Sequence, residues 1–209
     1  MEFKKTFCSS PWFHMSIAND GSFGVCRWGL YKNKIHQNNY GNIKEMPPHV
    51  WFQNQMEEFR KKLINGDGHK TEVCNKCYKM EKYGKTSGRQ RQLLKTGIQT
   101  SKEFEKTLIS SPWIHEFKKT PNNKEFDLFP LDWQIDFGNL CNSGCVMCHP
   151  SSSSFLETEF KKLGILNKKQ PKGWAEDPTA LENFFSCLDK SPKISYMHFI
   201  GGEPLIIPA

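Results

Sequence analysis

The 209-residue chain carries a net charge of +7, eight cysteines and a hydrophobic fraction of 37 %. Its length allows one or two domains, and Phe and Trp supply much of the apolar content, so a modest core is feasible. No window approaches the ~20 apolar residues of a membrane span, and the first residues, Met1 to Phe7, lack a signal-peptide core. The expected location is the cytoplasm, without a membrane partner. Thiols stay reduced there, so the cysteines point to metal or catalysis rather than disulfides. Lysines are spread in pairs such as Lys4-Lys5, Lys61-Lys62 and Lys168-Lys169. That reads as a solvated surface and argues against nucleic acid as a partner.

In chain order, Cys8-Ser-Ser-Pro11-Trp12 comes first. Residues 13–17 read as a strand, Asn19-Asp20-Gly21 as a turn, and residues 22–28 as the return strand. This hairpin brings Cys8 and Cys26 to one end. A loop follows over residues 31–50. Phe52, Met56, Phe59 and Leu63 then recur at helical spacing, which predicts a helix over 50–64. Cys74 and Cys77 form a C-x-x-C turn. Residues 78–96 read as two short helices broken around Gly84–Gly88, and a helical piece is expected near 102–108. Residues 131–137 alternate as a strand and run into Cys141-Asn142-Ser143-Gly144-Cys145-Val146-Met147-Cys148. Helices are expected over 155–163 and from Asp177-Pro178, the latter with Leu181, Phe184, Phe185 and Leu188 on one face. Residues 193–200 read as an apolar strand ending in Gly201-Gly202-Glu203-Pro204. Strand, helix, strand is a βαβ pattern. Cys187, Trp133, Phe137 and Phe199 read as core.

Three close thiolates can hold three corners of an iron–sulfur cluster and leave the fourth iron open. The alternative is a zinc site, with His149 as a fourth ligand. The spacing Cys141, Cys145, Cys148, together with Gly201-Gly202-Glu203-Pro204, resembles the radical S-adenosylmethionine (radical SAM) superfamily. The resemblance implies a [4Fe–4S] cluster on the three cysteines. It also implies S-adenosylmethionine held near Gly201, Gly202, Glu203 and Pro204, with Met147 where an aromatic residue is usual. When bound, these cofactors would supply reductive cleavage of S-adenosylmethionine to a 5′-deoxyadenosyl radical. No acid or base residue is implied.

The second set is Cys8, Cys26, Cys74 and Cys77. From spacing alone it fits structural zinc. With Pro11-Trp12, Gly21, Glu81, Gly84, Ser87 and Arg89 it resembles the twitch domain, a shorter relative of the SPASM domain. That implies an auxiliary [4Fe–4S] cluster, zinc being the alternative. The fold expected is α/β: a small α+β cysteine-rich domain over residues 1–97, a linker over 98–130, and over 131–209 the first βαβ part of a truncated TIM-type barrel. The partners implied are a peptide or protein substrate, an external one-electron reductant and a second chain to complete the barrel. The rival reading is a zinc-binding, RNA-binding interaction module.

Overall fold

A computed structural model describes residues 7–27, 41–96, 129–168, 173–191 and 194–206. The expected helix near 102–108 and most of the expected linker lie outside them. Strand β1 (His14–Ile17) follows a single helical turn, α1 (Ser10–Phe13), that Pro11 helps to start. The turn signal acts as expected. Gly21 takes φ +89°, Asp20 Oδ1 accepts from Ser22 N at 3.0 Å, and the chain returns as β2. Strand β2 is only Phe23–Gly24, shorter than the expected 22–28. The chain leaves the ladder there, and Cys26 and Arg27 turn to a cavity wall instead.

Two helices replace the single one expected over 50–64: α2 (Pro48–Asn54) and α3 (Glu57–Ile64). The predicted stripe holds, since Phe52, Met56, Phe59 and Leu63 are all buried. Tertiary contacts on each side of Gln55 account for the division. Trp51 packs on Phe23 with ring centroids 5.0 Å apart, and Arg60 Nε donates to the Pro11 carbonyl at 3.0 Å. Helices α4 (Asn75–Lys82) and α5 (Gly88–Thr96) follow, with the expected break between them. Strand β3 (Asp132–Asp136), α6 (Ser154–Lys162), α7 (Pro178–Lys190) and β4 (Tyr196–Ile200) complete the order. The caps are local. Ser153 Oγ accepts from Leu156 N at 3.3 Å, and Asp177 Oδ1 accepts from Thr179 N at 3.0 Å.

The four strands form one sheet in the order β2-β1-β3-β4. β1 pairs antiparallel with β2 and parallel with β3, and β3 pairs parallel with β4. The cysteine-rich N-terminal segment and the βαβ unit, expected in separate domains, therefore share a sheet. The flank of β3 away from β4 is taken by β1, so the strand expected to open a barrel already has two partners.

Alternation along the strands separates two faces. Met15, Ile17, Trp133 and Ile135 are fully buried on one face, where Trp133 meets Phe184 of α7 edge-on at 6.1 Å. His14, Ser16 and Gln134 are buried on the other. Phe199, expected in the core, and Phe185, expected on the apolar face of α7, are both largely open to solvent. Phe185 is 55 % and Phe199 48 % exposed, because one lies off the sheet-facing side of α7 and the other on the outer strand. Among the described residues no helix is long and apolar enough to cross a membrane.

Candidate metal centres

Because β1, β3 and β4 are parallel, their C-terminal ends share one edge of the sheet and their N-terminal ends the other. At ~3.3 Å per residue the two edges are roughly 15 Å apart. One cysteine set lies at each edge.

At the N-terminal edge, Cys8, Cys26, Cys74 and Cys77 line one cavity of about 260 Å³. Local structure places each. Cys8 precedes α1, and Cys26 follows the short β2. Cys74 closes a 3-10 turn (Glu72–Cys74), and Cys77 lies in the first turn of α4, three residues on and so on the same side. The thiols are close enough to influence one another. Burial pushes Cys8 well above the usual thiol value, and Cys26, Cys74 and Cys77 push it further. Burial also raises Cys74, against a hydrogen bond with Thr71. Thiolates in this cavity need positive charge nearby, and the wall also carries Arg27, Arg89 and Arg91. Asp132, the first residue of β3, stands 3.3 Å from His14 Nδ1 and 3.9 Å from Arg27.

At the C-terminal edge, β3 runs into the loop holding Cys141, Cys145 and Cys148. Cys141 is half-buried, while Cys145 and Cys148 are exposed. They sit together: Cys148 N donates to Cys145 O at 3.0 Å, and the Cys148 thiol is raised by desolvation within the loop and then by Cys145 and Cys141. The start of α6 fixes the loop. Ser154 Oγ bonds both backbone sides of Cys141, Ser153 Oγ donates to Ser143 O at 2.9 Å, and Asn139 Nδ2 donates to buried Glu157 at 3.2 Å. A Cβ on Gly144 would stand 2.8 Å from the Phe155 ring, which packs over that glycine.

Gly201 and Gly202 follow β4 and lie against this same loop. Gly202 N donates to Ser152 O at 3.1 Å, and Glu203 N donates to Leu140 O at 2.8 Å. A Cβ on Gly201 would come within 1.8 Å of Asp136 Oδ1, and one on Gly202 within 2.3 Å of Leu140 O. The glycines thus allow β4 to nest against the cysteine loop. Glu203 and Pro204 are half-buried beside it. Met147 is 93 % exposed at the loop tip. His149 turns Nδ1 to Ser151 Oγ at 3.0 Å.

Beyond the helix N-cap that residues 151–154 offer in the sequence, several residues at these sites carry no sequence signal for their role here. Ser153, Ser154, Asn139 and Glu157 act through hydrogen bonds that need the folded loop. Asp136 ends β3 beneath Gly201. Burial pushes its carboxyl up to about 6, Asp20 adds to this, and the Gly138 amide opposes it. Cys187 is fully buried, and burial pushes it to about 12 against His49 and Lys190.

Both sets offer thiol donors, which are soft ligands suited to an iron–sulfur group or to zinc. Among the described residues no three His, Cys, Asp or Glu side chains gather as a single metal ion requires. The four thiols that line the N-terminal cavity are soft donors, the type an iron–sulfur cluster takes. No curated protein and no solved structure matches the chain. Residues 8–78 match the family model of SPASM, described as an iron-sulfur cluster-binding domain. The match takes in Cys8, Cys26, Cys74 and Cys77, so this segment is similar to an iron–sulfur cluster-binding module typical of radical SAM enzymes.

Proposed function

We propose that the protein is a radical SAM enzyme, or part of one, with an N-terminal auxiliary iron–sulfur site, and that it modifies a peptide or protein. The observation that supports this reading most is the bonding of two distant segments. The Gly201-Gly202-Glu203 turn is hydrogen-bonded through its backbone to both flanks of the three-cysteine loop, at Leu140 and Ser152. Cys141, Cys145 and Cys148 would hold a [4Fe–4S] cluster, with one iron left for S-adenosylmethionine. Gly201, Gly202, Glu203 and Pro204 would take its methionyl end, and exposed Met147 its adenine. When bound, these groups would supply homolytic C–S cleavage, driven by one electron from an external reductant. The chain's own part is to hold the thiolates in place.

Exposed Val146, Met147 and Leu205 give the C-terminal edge an apolar rim, which suits a polypeptide substrate. Further parallel strands, from a longer form of this protein or from a second chain, would add at β4. Residues 196–200 contain neither proline nor a charged side chain, and among the described residues no strand pairs with the outer side of β4. We place the protein in the cytoplasm, where its thiols stay reduced.

The test is anaerobic reconstitution with iron and sulfide. Iron, sulfide, zinc and absorbance near ~400 nm would be measured. S-adenosylmethionine and dithionite would then be added and 5′-deoxyadenosine assayed. The expected result is a brown protein that forms 5′-deoxyadenosine, and a Cys145→Ala variant that loses this product but keeps the N-terminal iron. Colourless protein with stoichiometric zinc would refute the reading. Two intact clusters without product would leave a cluster-binding fragment.

A further inference from the structure

Arg89 is only 7 % exposed and carries a charge beside the four-cysteine cavity. A buried cation needs partners, and its partners are specific. Nε donates to Glu81 Oε1 at 3.0 Å, Nη2 pairs with Glu81 Oε2, and Nη1 donates to the Phe7 carbonyl at 2.8 Å. Ser87 Oγ donates to the same Glu81 at 2.5 Å, so the carboxylate is held as well. The guanidinium also lies 5.5 Å from the centroid of the Tyr78 ring. Three segments therefore meet at one side chain: the strand of chain entering Cys8, helix α4 that carries Cys77, and helix α5 that carries Arg89 itself. The charge of Arg89 is felt at Cys74 and at Cys8.

We propose that Arg89 is a positioning residue of the four-cysteine site, which ties the Cys8 segment to α4 and raises the reduction potential of the group bound there. The inference rests on the cluster reading above. Taking up one electron, from dithionite in the test, adds one negative charge inside the cavity. A fixed guanidinium favours that more negative form, and net charge and hydrogen bonding are established levers on cluster potential. Glu81 carries the opposite sign, so it opposes Arg89 electrostatically while supporting it mechanically. Charge and mechanics therefore predict different outcomes.

The experiment uses the full chain with Cys141→Ala, Cys145→Ala and Cys148→Ala, reconstituted so that only the N-terminal site reports. The midpoint potential is read by dithionite titration with optical and electron-paramagnetic-resonance detection, beside iron per chain. Arg89→Met is expected to shift the potential down. Arg89→Lys should keep it near the parent value while lowering iron retention, since the bond to Phe7 and the two-point pair with Glu81 are lost. Glu81→Gln should shift it up. Shifts of the same sign in Arg89→Met and Glu81→Gln would overturn the proposal, because loosening alone moves both alike. Should Arg89→Met fail to load, an unchanged potential in Glu81→Gln would overturn it by itself. Failure of the parent chain to take up iron and sulfide would instead refute the cluster reading, and it would show before any change at Arg89.

Discussion

Ser154 Oγ accepts a hydrogen bond from Cys141 N at 3.0 Å and donates one to Cys141 O at 2.9 Å. One hydroxyl thereby fixes both peptide groups of the first cysteine of the triad. The same residue donates its own N–H to Asn139 O at 2.6 Å. The loop is thus attached to the first turn of α6 at three points within a few residues. Ser154→Ala should cost about 1–2 kcal/mol of stability, since two bonds are lost and half-buried backbone groups are left without them. On the proposed cluster reading it should also lower iron retention at the triad while leaving the N-terminal cysteines loaded. Urea unfolding and iron analysis of the variant check both parts. Equal loss of iron at both edges would show that Ser154 acts on the whole fold rather than on the loop.

Gly201 is tested by adding one methyl group. Its φ of +75° already disfavours any other residue, and its missing Cβ leaves room for Asp136. Gly201→Ala should destabilise the chain by more than the ~1–3 kcal/mol of backbone strain alone, because the half-buried carboxyl of Asp136 must also move. Equilibrium unfolding in denaturant measures this. A change within a few tenths of a kcal/mol would show that β4 does not nest against the cysteine loop as described.

Asp136 gives the fold a pH dependence of defined sign. Its folded value is about 6, against an ordinary value of 3.8, with burial as the main cause. The folded state therefore binds the proton more tightly than the unfolded chain. The contribution is fully present below the unfolded value and is lost as pH rises through about 6. The span is about 2–3 kcal/mol at most. Asp136→Asn keeps an acceptor for the Gly138 amide and should remove this slope. Stability measured across pH 4 to 8 in both forms tests it, and identical slopes would exclude Asp136 as the source.

Thiol accessibility should divide the cysteines before any metal is added. Cys145 and Cys148 are exposed, whereas Cys187 is fully buried. Reactivity follows thiolate fraction and access. A short pulse of alkylating reagent, read by peptide mass spectrometry, should label exposed Cys145 and Cys148 before buried Cys187, with Cys148 slowed by its raised thiol value. Cys187 should label only on addition of denaturant. Early labelling of Cys187 would contradict the packing of α7 on the sheet.

The local elements were legible because short-range chemistry decides them. Asn19-Asp20-Gly21 makes its turn, Asp177-Pro178 starts α7, and the stripe Phe52, Met56, Phe59, Leu63 is buried as its spacing requires. The two cysteine sets could be read from their spacing, and the SPASM match covers the N-terminal one. Other features depended on non-local contacts that no spacing encodes. The division of α2 from α3 reflects Trp51 on Phe23 and Arg60 on the Pro11 carbonyl. Phe199 alternates like a core residue but is half exposed, because β4 lies at the edge of the sheet.

The sequence by itself determined the ligand chemistry: which side chains can bind soft metal, and in which two groups. Only the tertiary structure decided their arrangement. Parallel pairing of β1 with β3 merges the two halves of the chain into one sheet. It puts the four-cysteine cavity and the three-cysteine loop at opposite ends of the same strands. The hydroxyl of Ser154, the carboxylate of Glu157 and the guanidinium of Arg89 acquire their positions there from partners up to 82 residues away in the chain. The physical reason is that hydrogen bonds and buried charges are specified by where segments meet, and segments meet only once the apolar faces of the sheet and helices have packed.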